Sequence, residues 1–507
     1  MSVRVRFAPS PTGPLHIGGL RTALYNYLFA KKNNGKFILR IEDTDAERYV
    51  KGAEEHIIKS LEWVGIKIDE GPTIGGPFAP YRQSERKHIY QQFIKILIEK
   101  GYAYYAFDTI EELKEIHKRF EKEGKTFQYD AFTRSYMKNS LTLSEKEVTK
   151  LLNSNISYVI RFKVTPNRTL NLNDIIRGQI TFNTNIIDDK VLIKSDGLPT
   201  YHFANVVDDY LMKITHVIRG EEWLPSYPFH YLLYEAFGWL EKMPEFAHLP
   251  LILKPEGKGK LSKRDAEVHG FPIYPCMWET ESGEKFIGFK EWGFLPEAFI
   301  NMLALLGWTP KSNKEILSLQ EMINEFSLED INKAGARFDP EKAKWFNKQH
   351  VLKKENKELI NVLKDFNPGY PFNEEYINKV LNITKDRFSL LSEFFVINKF
   401  FFERPSFSNI DKVNDIVEIK KLEILDKLLK NLENICWQKN EIEKFVKKFC
   451  ETNNLKIGDV MATLRLAITG EKKGPNLYEI LECLGYKEVK DRFTLFFEII
   501  KKEKDFA

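Results

Sequence analysis

Short segments of alternating or continuous apolar residues recur along the first part of the chain, with apolar residues at helical spacing between them. Residues 3–6 (VRVR) carry valines at alternate positions, and residues 20–29 are apolar at helical spacing. Residues 36–41 (KFILRI) predict a second strand, and residues 52–64 predict a helix. A strand, a helix and a strand at this spacing indicate a parallel sheet with helices on its faces.

This alternation of strand and helix patterns ends near residue 106 and resumes near residue 191. The intervening part mixes a charged helical segment at 111–122 with a strand pattern at 158–164. From about residue 311 the pattern is helical and rich in lysine and glutamate. We therefore predict five regions: a first α/β half (1–105), an inserted domain (106–190), a second α/β half (191–310), and two α-helical regions (311–380 and 381–507).

Composition narrows the class of protein only slightly. The 507 residues have 76 basic and 72 acidic side chains, so the net charge of +4 does not by itself indicate a nucleic-acid partner. No apolar run is long enough to predict a membrane span, and no leader pattern opens the chain. Four scattered cysteines fit a reducing compartment, so we expect a cytoplasmic protein.

The loop FAPSPTGPLHIGG, residues 7–19, joins the first strand to the first helix. Ligands of parallel sheets bind beyond the carboxyl ends of strands, and a helix that begins there offers free N–H groups to phosphate. The glycines allow close approach of a ligand, the prolines restrict the loop, and His16 would add a ring N–H. Taken alone, the segment is equally typical of a plain Pro/Gly turn. The GxGxxG and Walker motifs are absent.

Two motifs together resemble a known family. Residues 14–19 (PLHIGG) resemble the HIGH signature of class I aminoacyl-tRNA synthetases, with Gly19 in place of its final histidine, and residues 6–13 (RFAPSPTG) resemble the glutamyl-tRNA synthetase form. Residues 260–264 (KLSKR) resemble the KMSKS loop, although an isolated basic loop is more often a solvated charge run. Lysines there suit the charge on departing pyrophosphate. The resemblance implies catalytic roles for His16, Lys260 and Lys263, and ATP contacts from Pro9, Ser10, Gly18, Gly19, Trp223, Lys260, Leu261, Ser262, Lys263 and Arg264.

Charged residues at three strand ends match the charges of glutamate. Arg6, Glu42 and Arg219 each lie where a strand pattern ends, although each alone could be an exposed ion-pair residue. Arginine binds carboxylates bidentately. The resemblance implies that Arg6 and Arg219 hold carboxylates and that Glu42 holds the ammonium, with Ser10, Tyr201 and Asn205 beside the amino acid. If residues 201–209 are helical, Tyr201, Asn205 and Asp208 share a face.

The remaining regions resemble parts that hold tRNA. The resemblance implies that 106–190 docks the acceptor end, with DIIRG at 174–178, that 311–380 contacts the stem, and that 381–507 is an α-helical anticodon-binding domain. Arg387 resembles an arginine that reads the third anticodon base, although a surface arginine is as probable from sequence alone. Many bacterial relatives carry a Cys-x-Cys zinc motif where this chain has Ala106 and Asp108, so we predict no zinc.

The resemblance therefore implies ligation of L-glutamate to the 3′ end of tRNA-Glu through glutamyl-adenylate, with ATP and with Mg²⁺ held through the ATP phosphates, by a monomer. A glutaminyl-tRNA synthetase, which tends to end in β-barrels, or an enzyme that also charges tRNA-Gln is the alternative. A shorter tRNA-modifying paralogue, a simple nucleotidyltransferase and a non-catalytic tRNA-binding relative fit less well. Between residues 268 and 292 the chain is longer than in compact relatives, and the sequence there predicts a β-hairpin.

Overall fold

The N-terminal segments form the predicted strand–helix–strand unit. In the computed structural model, which describes residues 2–154, 156–369, 373–407 and 419–505, strand β1 (Arg4–Phe7) pairs in parallel with β2 (Lys36–Leu39). Helix α1 (Ile17–Lys32) connects them, and α2 (Ala53–Trp63) follows. The last three residues of each strand are buried, as expected for a parallel sheet that is covered on both faces.

A second group of strands extends this sheet. Strands β8 (His216–Gly220) and β9 (Glu245–Leu249) are parallel, β9 touches the end of β5 (Thr169–Asp174), and β6 (Gly178–Asn183) returns antiparallel along β5. The Thr215 N–H donates to the Arg4 carbonyl, which places β1 beside β8. The order is therefore β2-β1-β8-β9-β5-β6. Since the connections run to opposite sides from β1, the ends of β1 and β8 form a topological switch point, where such sheets bind ligands.

Part of the segment predicted as an insertion forms its own small sheet. Strand β4 (Val159–Phe162) lies antiparallel between β3 (Ala103–Ala106) and β7 (Val191–Ile193). Helices α4 (Ile110–Lys122) and α5 (Glu145–Leu152) begin at capping boxes, with Thr109 and Ser144 as the N-caps. Tyr104, Phe127, Tyr129 and Met137 form a separate buried cluster in this region.

The hairpin predicted between residues 268 and 292 is confirmed, although its strands are short. Strands β11 (Trp278–Glu279) and β12 (Lys285–Phe286) pair antiparallel across the turn at 280–284. Trp278 is buried, and its ring packs edge-on against the ring of His56, with 5.5 Å between the centroids. The hairpin is therefore joined to the α/β body through an aromatic contact.

The chain divides into two units, which are Met1–Lys290 with Pro296–Ala343, and Glu291–Leu295 with Lys344–Ala507. Two further short strands pair in parallel: β10 (Ile252–Leu253) and β13 (Ala336–Arg337). The remaining helices in chain order are α3 (Lys87–Glu99), α6 (Tyr201–Leu211), α7 (Tyr227–Phe237), α8 (Lys263–His269), α9 (Phe289–Trp292), α10 (Pro296–Ala304), α11 (Leu319–Glu325), α12 (Pro340–Lys353), α13 (Asn356–Phe366), α14 (Glu374–Thr384), α15 (Leu391–Ile397), α16 (Lys399–Phe402), α17 (Ile419–Leu432), α18 (Lys439–Thr452), α19 (Ile457–Thr469), α20 (Leu477–Leu484) and α21 (Tyr486–Asp505).

The described elements of the second unit are helices, which confirms the prediction of an α-helical C-terminal part. Its helices bury apolar faces, for example Ile442, Val446 and Cys450 on α18. None of the helices in the described ranges combines the length and the apolar character that crossing a bilayer requires.

Candidate active site

A cavity of about 540 Å³ opens at the carboxyl ends of β1 and β8. Most of the residues that the sequence analysis assigned to ATP and glutamate line it. These are Arg6, Pro9, Ser10, His16, Gly18, Gly19, Glu42, Tyr201, Asn205, Arg219, Trp223, Lys260, Leu261 and Lys263. The loop at 7–19 and the basic loop at 260–264, which are far apart in sequence, therefore meet at one cavity.

Three predicted residues lie elsewhere in the described structure. Ser262 is the N-cap of α8, where its hydroxyl accepts the Asp265 N–H, and Arg264 is exposed on the first turn of that helix. Arg387 belongs to the second unit and lines a separate cavity of about 650 Å³. Ser262 and Arg264 therefore do not line the first cavity, and their ATP contacts stay a prediction.

His16 immediately precedes α1 and lines the cavity. Its Nδ1 accepts hydrogen bonds from the N–H groups of Gly18 and Gly19 at 3.0 and 3.3 Å, so it caps the helix. Because Nδ1 accepts, the proton of the neutral ring is on Nε2. His16 is solvent-exposed where it lines the cavity. Desolvation by the surrounding protein, together with the charges of Lys260 and Lys263, lowers the pKa of His16 to about 4. His16 is therefore a neutral N–H donor at neutral pH.

Glycine is required beside this ring. A Cβ built on Gly18 would lie 2.9 Å from His16 Cε1 and 3.0 Å from Nδ1. One on Gly19 would lie 2.6 Å from Leu15 Cδ1. The two glycines of the PLHIGG motif thus leave space for the histidine and leucine that precede them, and their N–H groups hold the His16 ring in place.

The basic loop brings two ammonium groups to the cavity. Lys260 Nζ lies 3.4 Å from Glu222 Oε1, and Lys263 Nζ lies 5.5 Å from the centroid of the Tyr274 ring. The Leu261 N–H donates to the Ile252 carbonyl, which ties this loop to β10. Both lysines remain solvent-exposed, so their charges can turn toward an anion in the cavity.

The lining residue Arg6 belongs to a cluster of buried charges, which we call the cavity floor although Arg40 and Asp209 do not line the cavity. Arg6 Nε donates to Asp209 at 3.0 Å, and Arg40 Nη1 donates to the same carboxylate at 2.7 Å. Burial disfavours the Asp209 carboxylate, but Arg6 and Arg40 outweigh that effect and hold its pKa below the ordinary value. Asp209 is thus the anion that keeps two guanidinium groups in the core.

Glu42 faces the cavity from the end of β2. Its Oε1 accepts hydrogen bonds from Arg40 Nη2 and from Asn205 Nδ2, both at 2.9 Å. Burial raises the pKa of Glu42 despite the opposing effect of Arg40 and Arg6. Asn205 Oδ1 is buried and has no hydrogen-bond partner within the described structure. Glu42 and Asn205 therefore present acceptor oxygens to a cationic group in the cavity.

Arg219 differs from Arg6 and Arg40, although all three are buried. Arg219 is 5% exposed, and no carboxylate of the described residues lies within ion-pair distance of its guanidinium. Its contacts are neutral acceptors: His248 Nε2 at 3.0 Å, the Tyr201 hydroxyl at 3.3 Å and the Trp223 carbonyl at 3.2 Å. Burial lowers the pKa of Arg219, yet a guanidinium stays charged in proteins. A buried cation without an acid partner is suited to bind an anionic ligand.

The sequence analysis missed part of this arrangement. Asp209 lies four residues after Asn205 on α6, and Arg40 lies two residues before Glu42, so helical and strand periodicity contained a signal for both. Asp208, which was placed on the face of Tyr201 and Asn205, instead binds Arg86 and Tyr90 away from the cavity. His248 had no such signal, because only sheet pairing brings it beside Arg219.

Comparison with protein families gives two matches that together span most of the chain. Residues 2–345 match tRNA synthetases class I (E and Q), catalytic domain, and residues 348–496 match an anticodon binding domain.

Close relatives share almost the full length. A glutamate–tRNA ligase of Flavobacterium psychrophilum is 51% identical over 97% of this chain and 98% of its own, and one of Porphyromonas gingivalis is 48% identical over 98% and 99%. The crystal structure of a glutamate tRNA ligase from Elizabethkingia meningosepticum in complex with its amino acid superposes with a TM-score of 0.95 at 49% identity, covering 99% of this chain and 100% of that one. A glutamate-tRNA synthetase structure from Elizabethkingia anophelis gives 0.91 at 50% identity, covering 98% and 100%.

Proposed function

This chain belongs to the class I tRNA synthetases of the glutamate and glutamine type, and from that premise we propose that it ligates L-glutamate to the 3′ end of tRNA-Glu. The α-carboxylate of glutamate attacks the α-phosphorus of ATP, which gives glutamyl-adenylate and releases pyrophosphate. The terminal ribose hydroxyl of the tRNA then attacks the acyl carbon, and AMP leaves. The observation that carries the proposal is the buried Arg219 without an acid partner.

The charge of the cavity floor supports glutamate as the amino acid. Arg6, Arg40 and Arg219 contribute three positive charges, and Glu42 and Asp209 contribute two negative charges, which leaves one positive charge in excess. Glutamate carries one net negative charge and would neutralise it. Glutamine carries none, so the buried excess charge would remain without a partner.

Specific groups fit specific parts of the substrate. Arg219, fixed by Tyr201 and Trp223, holds the side-chain carboxylate, and Arg6 lies on the same floor for the second carboxylate. Glu42 and the unpartnered Asn205 Oδ1 accept the α-ammonium N–H groups. Ser10 lines the same cavity. These positions leave the α-carboxylate toward the loop that holds the phosphates.

The other wall of the cavity fits ATP, as the Mg²⁺ complex. His16 Nε2–H donates to a phosphate oxygen beside the positive end of the α1 dipole, and Lys260 and Lys263 neutralise charge as pyrophosphate leaves. Trp223 lines the cavity beside Tyr201, with 4.2 Å between ring centroids, and offers a face to the adenosine. No step requires a covalent protein nucleophile. Catalysis then consists of positioning and charge stabilisation.

Mg²⁺ is proposed to arrive on the triphosphate, so that phosphate and water oxygens supply most of its ligands. Within the described ranges, no group of three or more His, Cys, Asp or Glu side chains is placed to hold a metal ion. At the position of the Cys-x-Cys motif, Ala106 offers no ligand, and the Asp108 carboxylate accepts the Tyr129 hydroxyl at 3.0 Å and the Lys138 N–H at 2.8 Å. We propose that hydrogen bonds replace zinc there.

The second unit fits an anticodon-binding role. Its cavity of about 650 Å³ is lined by Arg387 and by Asn398, a side chain with no solvent exposure. Both amide atoms of Asn398 lack hydrogen-bond partners within the described ranges. Such a donor and acceptor pair, next to an arginine, suits the edge of an unstacked base. We propose that Arg387 contacts an anticodon base, that residues 106–190 dock the acceptor end, and that the protein acts as a cytoplasmic monomer.

The test is charging of purified tRNA-Glu and tRNA-Gln with radiolabelled glutamate. The wild type is expected to charge tRNA-Glu. Arg219→Ala is expected to raise the KM for glutamate by about ten-fold or more, the cost of losing a charge-assisted hydrogen bond, with the KM for ATP nearly unchanged. Arg82→Ala is the matched control, since Arg82 pairs with Glu54 at the protein surface.

Each result of this assay tests a different part of the proposal. Failure of the wild type to charge tRNA-Glu would overturn the proposed function. Equal charging of tRNA-Gln would replace it by a non-discriminating activity. An unchanged KM for glutamate in Arg219→Ala would remove Arg219 from the amino-acid site.

A further inference from the structure

Arg219 donates a hydrogen bond to His248, a residue that the proposed chemistry does not use. Arg219 and His248 are paired across β8 and β9, and Arg219 Nε donates to His248 Nε2 at 3.0 Å. His248 is completely buried. A guanidinium has no acceptor atom, so this contact requires Nε2 of His248 to carry a lone pair and its proton to be on Nδ1.

Asp174 meets that requirement from the opposite side. Its Oδ2 lies 2.6 Å from His248 Nδ1, and the side chains of both residues are fully buried. The carboxylate accepts, so the ring donates from Nδ1. Backbone N–H groups of Ile176, Arg177 and His248 also point at this carboxylate, at 3.0, 2.9 and 3.1 Å. The Asp174 side chain is therefore immobilised by the turn at 174–178, which the proposed function does not otherwise explain.

On the other side of the Arg219 guanidinium, two histidines form a similar series of contacts, without a carboxylate. His230 Nδ1 lies 3.5 Å from Arg219 Nη1, and His230 Nε2 lies 3.1 Å from His202 Nδ1. Proton positions are consistent along the whole series if each ring accepts from the arginine side and donates away from it. Burial lowers the pKa of His248, of His230 and of His202, so the rings are neutral.

A direct carboxylate partner would have neutralised Arg219. Asp174 is instead separated from Arg219 by one imidazole ring, so the guanidinium is oriented without an ion pair. We propose that His248 and Asp174 are positioning residues that hold Arg219 as an oriented, unpaired cation for the side-chain carboxylate of the amino acid. This inference rests on the proposed function, because it deepens the role of the same site.

The test measures the KM for glutamate, the KM for ATP and kcat separately in tRNA-Glu charging by the full-length chain. His248→Phe replaces the imidazole by another aromatic ring, which has neither nitrogen. We expect the KM for glutamate to rise about ten- to hundred-fold, the range for a lost hydrogen bond to a charged group, with the KM for ATP within about two-fold of the wild type. His248→Gln, whose side-chain oxygen can accept from Arg219, should restore most of the affinity.

Asp174→Asn probes the proton position with little change of shape. If the amide NH₂ faces His248, the ring must accept at Nδ1 and turn an Nε2–H toward Arg219. The reversed amide would turn its NH₂ toward the backbone N–H donors of Ile176 and Arg177, so the first orientation is expected. That orientation should raise the KM for glutamate. His216→Phe is the matched control, since His216 lies at the opposite end of β8 from Arg219 and pairs with Glu245.

The outcomes separate this inference from the proposed function. If the wild type charges tRNA-Glu and folded His248→Phe has the same KM for glutamate, the inference is wrong and the function stands. Equal losses in glutamate affinity, ATP affinity and kcat, without rescue by His248→Gln, would show a merely structural role. If the wild type does not use glutamate, the proposed function itself fails. Should His248→Phe not fold, Asp174→Asn decides in the same assay.

Discussion

Asp209 accepts hydrogen bonds from Arg6 and Arg40, and all three side chains are buried. The carboxylate therefore makes two buried cations tolerable, while Arg219 is left without an acid. At the scale of single residues, this unequal distribution of partners determines where a negatively charged substrate group can bind. Breaking such a buried pair costs more than the pair contributes, because it leaves a charge without a partner.

Asp209→Asn tests this stabilisation. We expect the free energy of unfolding to fall by about 3–5 kcal/mol, because Arg6 and Arg40 lose their shared anion in a dry environment. Chemical denaturation of the first unit measures it. Glu235→Gln is the control, since Glu235 also binds an arginine, Arg168, through two hydrogen bonds, but in a partly exposed position. Its expected cost is about 0–1 kcal/mol. Equal losses in the two variants would contradict the account.

Helix α1 shows how one element serves both the fold and the site. Leu20, Ala23, Leu24 and Leu28 are buried, with no exposed surface, while the first turn faces the cavity. His16 caps the helix with Nδ1 and so keeps Nε2 free for a ligand. The hydrogen bonds that cap the beginning of the helix therefore also orient the His16 ring.

Gly18→Ala should disturb that orientation. The added Cβ meets the His16 ring at 2.9 Å, so the ring must move. We expect kcat/KM for ATP to fall about 10- to 100-fold, as for a misplaced catalytic group, with little change in the KM for glutamate. Gly458→Ala is a matched control, because Gly458 is likewise the second residue of a helix, α19, and a Cβ there meets nothing within 4 Å. Wild-type kinetics with ATP in Gly18→Ala would separate His16 from the phosphates.

At the scale of the whole molecule, five histidines with lowered pKa values make the first unit sensitive to acid. Desolvation by the surrounding protein, together with nearby cations, lowers the pKa of His16 and of His202 to about 4, against 6.5 for the unfolded chain. The pKa values of His216, His230 and His248 are also lowered, chiefly by burial. Between pH 6.5 and 4 the unfolded chain therefore binds protons that the folded chain does not.

Stability is expected to be fully present above pH 6.5 and to be lost as the pH falls from 6.5 toward 4. Calorimetry from pH 7.5 to 5 should show a decreasing Tm for the first unit. His202→Gln removes one of these groups, so the slope of Tm against pH should become smaller. A Tm that stays constant from pH 7.5 to 5 would show that these rings are protonated in the folded protein.

Much of the architecture could be predicted because it depends on local patterns. The alternation around β1 and β2, the helical spacing of α1 and the turn at 280–284 each depend on neighbours in sequence. Motif resemblance also placed His16, Arg219 and Lys263 at one site, and the cavity has all three in its wall. The exact ends of strands differed by one or two residues, since sheet pairing decides where a strand stops.

The amino-acid sequence by itself determined which segments form strands and helices, and which residue types could bind phosphate and carboxylate. Only the tertiary structure decided that Asp209 neutralises Arg6 and Arg40, that Arg219 has neutral partners, and that the space beside Gly18 is filled by the His16 ring. The physical reason is that periodicity and turn chemistry act over a few residues. Charge pairing and burial depend on strands and helices that are far apart in the chain and adjacent in space.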